Sequence, residues 1–318
     1  MRSGMDLQAL LAQRKEKIFL ELPAGQGSIP CLTVTGKSLA ESWENSLIAL
    51  YAHGCEIRTE YDRQDAAGNY LDPPSRDCTM RLIVEEPLSE PMLHRCFPGG
   101  LESLEEYRQE VLDGIKDHWV RDPNDPDDER WEYTYHERLF RYRVPGIEGE
   151  IDQIARVIED LARSPISRRC QAVTWKVWED TGIHDPACMQ SLWFRVLPDE
   201  EGIFRLNLNV RFRSRDAYDA AFMNCFALIL LQERTAKQLG EKIGQEVRLG
   251  RYLDESDSYH IYGSKLSDFE DRFLKQVSLR TFEQRTWTRA YAEPFFAEAR
   301  PRIKAKIAAQ DRQRQPEE

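Results

Sequence analysis

Residues 188–226, CMQSLWFRVLPDEEGIFRLNLNVRFRSRDAYDAAFMNCF, decide how this chain folds. Leu192–Leu197 is apolar enough for a strand, and Pro198-Asp199-Glu200-Glu201-Gly202 is a turn. Phe204–Phe212 then alternates apolar and polar residues, as a half-buried strand does. A long apolar segment, roughly Tyr218–Leu239, predicts a largely buried helix. Strand, turn, strand and helix in that order describe a hairpin against a helix. Alternation also puts Arg211, Arg213 and Arg215 on one strand face, which calls for acidic partners or a ligand phosphate.

Working outward, Ile151–Ala162 reads as an amphipathic helix and Gln171–Trp178 as a strand. Upstream lie a helix at Ser38–His53, closed by Gly54, a polar loop at 61–76, a strand at Met80–Val84 and a helix at Leu101–Ile115. The fold class is α/β of the α+β kind: one domain with a mixed, largely antiparallel sheet flanked by helices. Strict βαβ alternation is missing. Residues 1–35 read as an N-terminal extension, with helical Leu7–Lys17 and strand-like Ile18–Leu22. Residues 36–300 form the domain, and 301–318 a charged, mobile tail.

The 318 residues carry a net charge of −11 and 41% hydrophobic residues. An acidic chain with locally clustered arginines suits a small anionic ligand better than a nucleic-acid polymer. Seven cysteines without CxxC spacing argue against a disulfide framework or a zinc ribbon. No apolar run reaches 18 residues, so neither secretion nor a membrane span is expected, and the cytoplasm is the expected compartment.

Cys188 stands between Ser167-Arg168-Arg169 and Arg213-Ser214-Arg215-Asp216; Asn224 and His260-Ile261-Tyr262 follow. Guanidinium groups favour a thiolate and receive phosphates. Asn224 interrupts an apolar helix, so its carboxamide needs a partner or reads one.

In this order and spacing the elements resemble the thymidylate synthase superfamily over about residues 38–270. The resemblance implies a homodimer through the sheet, with 5,10-methylenetetrahydrofolate as co-substrate and no metal. It implies addition of Cys188 to C6 of a pyrimidine nucleoside 5′-monophosphate and carbon transfer to C5. By the same resemblance Arg213 and Ser214 bind the phosphate, and Arg168 and Arg169 reach it from the partner subunit. Arg76, preferred to Arg58 or Arg81, completes the phosphate set. Asp216 holds the folate pterin, Asn224 reads the base, and His260 and Tyr262 contact the sugar. Tyr135 stands near the thiol, and Glu110 organises water for proton transfer. Met189, Trp193 and Gly263-Ser264 depart from the family pattern, as does the absence of a small aliphatic C-terminal tail. The resemblance implies conversion of dUMP to dTMP; the alternatives are a dCMP, CMP or dUMP 5-hydroxymethylase and, more remotely, a non-catalytic nucleotide- or RNA-binding relative. The residues leave the product, the base and the sugar open.

Overall fold

The computed structural model describes residues 7–122, 125, 128 and 130–314. In chain order the elements begin with α1 (Leu7–Ala12), β1 (Ile18–Leu22), β2 (Cys31–Gly36) and α2 (Leu39–His53). Next come β3 (Cys55–Ile57), β4 (Ser75–Val84), β5 (Leu93–His94), α3 (Gly100–Asp113), α4 (Tyr135–Phe140) and α5 (Gln153–Arg163). Then follow β6 (Gln171–Val173), α6 (Val177–Asp180), β7 (Met189–Pro198), β8 (Phe204–Asp216) and α7 (Ala221–Ile243). The last are β9 (Val247–Ile261), α8 (Leu266–Asp268), α9 (Lys275–Leu279), β10 (Thr286–Trp287) and α10 (Arg289–Arg314). The chain divides into two compact units.

The first unit comprises the described part of Met1–Pro98 with Asn209–Cys225 and Gly250–Thr288. Its sheet runs β1-β2-β4-β9-β8, with β3 also on β4. Strands β1 and β2 are antiparallel, β2 and β4 parallel from Cys31↔Thr79 to Gly36↔Val84, and β4 and β9 antiparallel. The α2 helix starts where Ser38 accepts a hydrogen bond from the Glu41 amide while the Glu41 carboxylate takes the Lys37 amide. That pair satisfies two of the donors a helix start leaves open. Trp43, Leu47 and Ile48 of α2 are fully buried, and the Trp43 indole donates to the Ala217 carbonyl at 2.9 Å.

The first 35 residues, expected as an extension, supply two strands of this sheet. Arg14 donates to Glu44 at 2.6 Å and to Asn45 at 3.0 Å, which ties the end of α1 to α2. Glu44 also receives Arg285 and His94. Burial pushes its carboxyl up, but those hydrogen bonds outweigh burial and hold it below the usual range.

The second unit comprises Gly99–Leu208, Phe226–Leu249 and the described part of Arg289–Glu318. Here β6 pairs β7 antiparallel, with Ala172 opposite Leu192. The α5 helix, capped by Asp152, buries Ile154, Val157, Ile158 and Leu161. Residues 174–178, expected as the end of a strand, instead leave the sheet into α6. The Lys176 amide and the buried Arg138 guanidinium both bond the Asp180 carboxylate at that point, which ends the ladder.

Residues 301–314, expected in the mobile tail, are the last turns of α10. Ala299, Ile303 and Ile307 pack on Trp119, and Arg300, Arg302 and Lys306 pair with Glu105, Glu102 and Glu106 of α3. Pro301 costs the helix one amide donor; packing on α3 carries the helix past it. Residues 315–318 of the expected tail lie outside the described residues.

Candidate active site

In the second unit, Cys188 sits on the last residue before β7, half-buried, with its sulfur 4.0 Å from the Pro186 carbonyl. Tyr135, the first residue of α4, is placed by the Thr134 cap, whose hydroxyl oxygen accepts from the Glu137 amide and donates to Asp117. The Tyr135 hydroxyl accepts a hydrogen bond from the Met189 amide at 3.2 Å. Burial pushes both Tyr133 and Tyr135 well above the ordinary phenol range. Tyr133 lies 5.5 Å from Tyr135, ring to ring, and its hydroxyl meets the Cys188 amide. Two neutral phenols thus hold consecutive backbone amides at the thiol. The sequence singles out the Tyr133-Thr134-Tyr135 run but gives a role to Tyr135 alone; the structure adds Tyr133.

Met189 is fully buried, and its carbonyl accepts from the Thr174 hydroxyl. The Trp193 indole donates to the Arg168 carbonyl at 2.9 Å, so the tryptophan secures the loop that carries the arginine pair. Arg168 and Arg169 are exposed, and neither guanidinium forms an ion pair among the described residues. Glu110 bonds Lys116 at 2.8 Å. Burial nevertheless dominates and raises its carboxyl pKa.

In the first unit, β8 does not present three arginines on one face. Its buried positions are Leu206, Leu208, Val210 and Phe212, and then Arg215, so the alternation slips by one residue at 213–214. Arg211 points outward to Glu255 and Asp257. Arg215 turns inward onto the Asp254 carboxylate, the Ala221 carbonyl and the Cys225 sulfur, with its guanidinium 4.0 Å from the Phe212 ring. Arg213 and Ser214 remain half-buried at the slip. Arg76 pairs with Glu56 at 2.9 Å; Arg58 and Arg81 likewise have carboxylate partners, in Asp62 and Glu255.

Asp216 follows, and its Oδ1 accepts the Tyr218 and Asp219 amides at 3.0 and 2.8 Å, an arrangement that starts the turn into α7. Burial raises its pKa to about 6. A carboxyl whose folded pKa is raised costs stability as pH climbs from its unfolded value through the folded one. Asp216→Asn is therefore expected to stabilise the protein at pH 7.5 by up to about 3 kcal/mol, at 1.36 kcal/mol per pK unit, and not at pH 4. Unfolding midpoints measured across that range check it; an equal gain at pH 4 would contradict it.

Asn224 lies in the first turn of α7, nearly buried. His260 lies near the end of β9 and Tyr262 just beyond it, with rings 4.6 Å apart and edge to face. Burial lowers the His260 pKa to about 4, so it is neutral at physiological pH. Among the described residues, no cluster of three or more His, Cys, Asp or Glu could hold a metal, no disulfide joins any of the seven cysteines, and no helix is long and apolar enough to cross a membrane.

The thymidylate synthase family model matches residues 101–285. A relative from Methanosarcina barkeri, provisionally named a thymidylate synthase, is 30% identical over 229 residues, covering 72% of this chain and 88% of its own. One from Methanothermobacter marburgensis, named likewise, is 32% identical over 229 residues, 70% of this chain and 90% of its own. The solved thermostable thymidylate synthase A of Bacillus subtilis superposes with a TM-score of 0.52 at 16% identity, covering 75% of this chain and 84% of that one, a likeness of fold.

Proposed function

The chain belongs to the thymidylate synthase family, whose members are one-carbon transferases, and from that premise we propose that it converts dUMP to dTMP. The observation that carries this reading is the half-buried Cys188 beside two half-buried tyrosines whose hydroxyls hold the Cys188 and Met189 amides. The thiolate sulfur of Cys188 forms a bond to C6 of the pyrimidine, and the displaced electron pair makes C5 nucleophilic. Methylene-tetrahydrofolate supplies the carbon and the hydride. C5 loses its proton after the carbon is attached, with Glu110 and water as the proposed proton relay; the folate leaves as dihydrofolate once its hydride completes the methyl group, and the Cys188–C6 bond then breaks to free dTMP and the thiolate.

Arg213 and Ser214 hold the 5′-phosphate. Arg76 adds to them by exchanging its Glu56 contact. Asn224 reads the uracil edge, and His260 and Tyr262 take the sugar. Asp216 spends Oδ1 on two backbone amides, which leaves Oδ2 for the pterin. Two copies of the chain pair through their sheets, and the exposed Arg168 and Arg169 serve the partner's phosphate. Seven cysteines with no disulfide among them suit a reducing cytoplasm.

The test is release of tritium from C5-labelled dUMP with methylene-tetrahydrofolate, and the mass of the product. Release and dTMP are expected. No release from dUMP, dCMP or CMP removes the enzymatic reading, and a hydroxymethyl product removes the hydride step.

A further inference from the structure

His260 has a second set of partners that the family resemblance does not assign. The Ser258 hydroxyl donates to Asp77 Oδ2 at 2.8 Å, and its oxygen lies 3.2 Å from His260 Nδ1. Asp77 stands on β4 directly opposite His260 on β9, so the strand register itself delivers the carboxylate. Asp77 and His260 are 8% and 7% exposed, and His260 Nε2 is a buried atom with no hydrogen-bond partner.

A serine hydroxyl has one proton to give. While Asp77 is ionised, that proton goes to the carboxylate, so the serine oxygen can only accept from His260. The imidazole must then carry its proton on Nδ1, and Nε2 is left with a bare lone pair. A buried acceptor without a donor is costly, and a ligand hydroxyl removes the cost. A phosphate oxygen, or any other acceptor without a proton, would be repelled from the same nitrogen.

From this chain of contacts we infer that Asp77 and Ser258 are positioning residues that lock His260 in the Nδ1–H tautomer, so that Nε2 accepts a hydrogen bond from a hydroxyl of the bound nucleotide's sugar. The inference rests on the proposed reading of His260 as a sugar contact, and the tautomer can be measured without any ligand.

Nitrogen-15 NMR of the histidine-labelled full chain reports which ring nitrogen bears the proton. Wild-type His260 is expected to be Nδ1–H. The Ser258 backbone carbonyl also accepts from the ring, so Ser258→Ala is expected to weaken the lock and raise the share of Nε2–H, Ser258→Thr to restore it, and Asp77→Asn to reverse it, because the asparagine amide can donate to the serine oxygen. In parallel, binding of dUMP is compared with its 3′-deoxy analogue. Wild type is expected to prefer the hydroxyl by roughly tenfold, the scale of one hydrogen bond, and Ser258→Ala to lose most of that preference. Nε2–H in wild type, or a tautomer and preference unmoved by Ser258→Ala, overturns the inference. Nδ1–H with equal binding of the two nucleotides overturns the sugar assignment alone and leaves the relay standing.

Discussion

Cys188→Ser is expected to cut tritium release from C5 of dUMP by at least about a thousandfold, while dUMP affinity stays within about threefold. A serine hydroxyl at this position keeps the size and most of the polarity of the thiol. It does not ionise near neutral pH, so it cannot supply the electron pair that C6 must receive. The neighbouring phenols cannot act for it, since burial holds Tyr133 and Tyr135 protonated. The phosphate and base contacts do not involve the sulfur, hence the small effect on binding. Equilibrium binding of dUMP and the tritium assay on the same preparation separate the two effects. Turnover retained within tenfold would mean that another group attacks C6.

Asp254→Ala is expected to be the most destabilising single change in the first unit, by about 3–5 kcal/mol. Asp254 is 2% exposed and is the only carboxylate on the 3%-exposed Arg215 among the described residues; it also accepts from the Tyr252 hydroxyl at 2.7 Å. Truncating it leaves a guanidinium buried and uncompensated. The nearby Cys225 thiol offers no substitute charge, because burial pushes its pKa up to about 12. At roughly 2–4 °C per kcal/mol for a unit of this size, the unfolding midpoint falls by on the order of 10 °C. The double change Arg215→Leu with Asp254→Leu is expected to recover much of the loss, since two apolar side chains carry no desolvation cost. A double variant as unstable as the single one would show that shape, not charge, makes the pair matter. Binding of dUMP in the absence of folate should weaken in Asp254→Ala, because Arg215 lies between Ser214 and Asp216 and anchors both.

Much of this was legible in the sequence because it depends on short-range patterns. The α2 helix followed from Leu39, Trp43 and Leu47 between Ser38 and Gly54, and the β7–β8 segments followed from alternation around Pro198–Gly202. The thiol, the arginine pair and the His-x-Tyr step followed from residue type and order. The slip at 213–214 was not legible, because what pulls Arg215 inward is Asp254, a residue 39 positions away on another strand. Asp77 was missed for the same reason: nothing local marks it, and its meaning comes from standing opposite His260. The basic residues of α10 looked like a solvated tail because their acidic partners are on α3, about 200 residues earlier. Pairings that distant leave no periodic trace.

The parallel pairing of β2 with β4, and the antiparallel pairing of β4 with β9, also set a timetable. Val84 of β4 meets Tyr252 of β9, roughly 170 residues later in the chain. At about 5–20 residues per second, a ribosome takes roughly ten to thirty seconds to deliver that neighbour. During the interval β4 is an open strand edge that carries Met80, Leu82 and Val84, residues buried in the finished protein. The nascent chain therefore has a defined window in which strand-to-strand aggregation competes with folding, and a chaperone that shields residues 75–84 would act there.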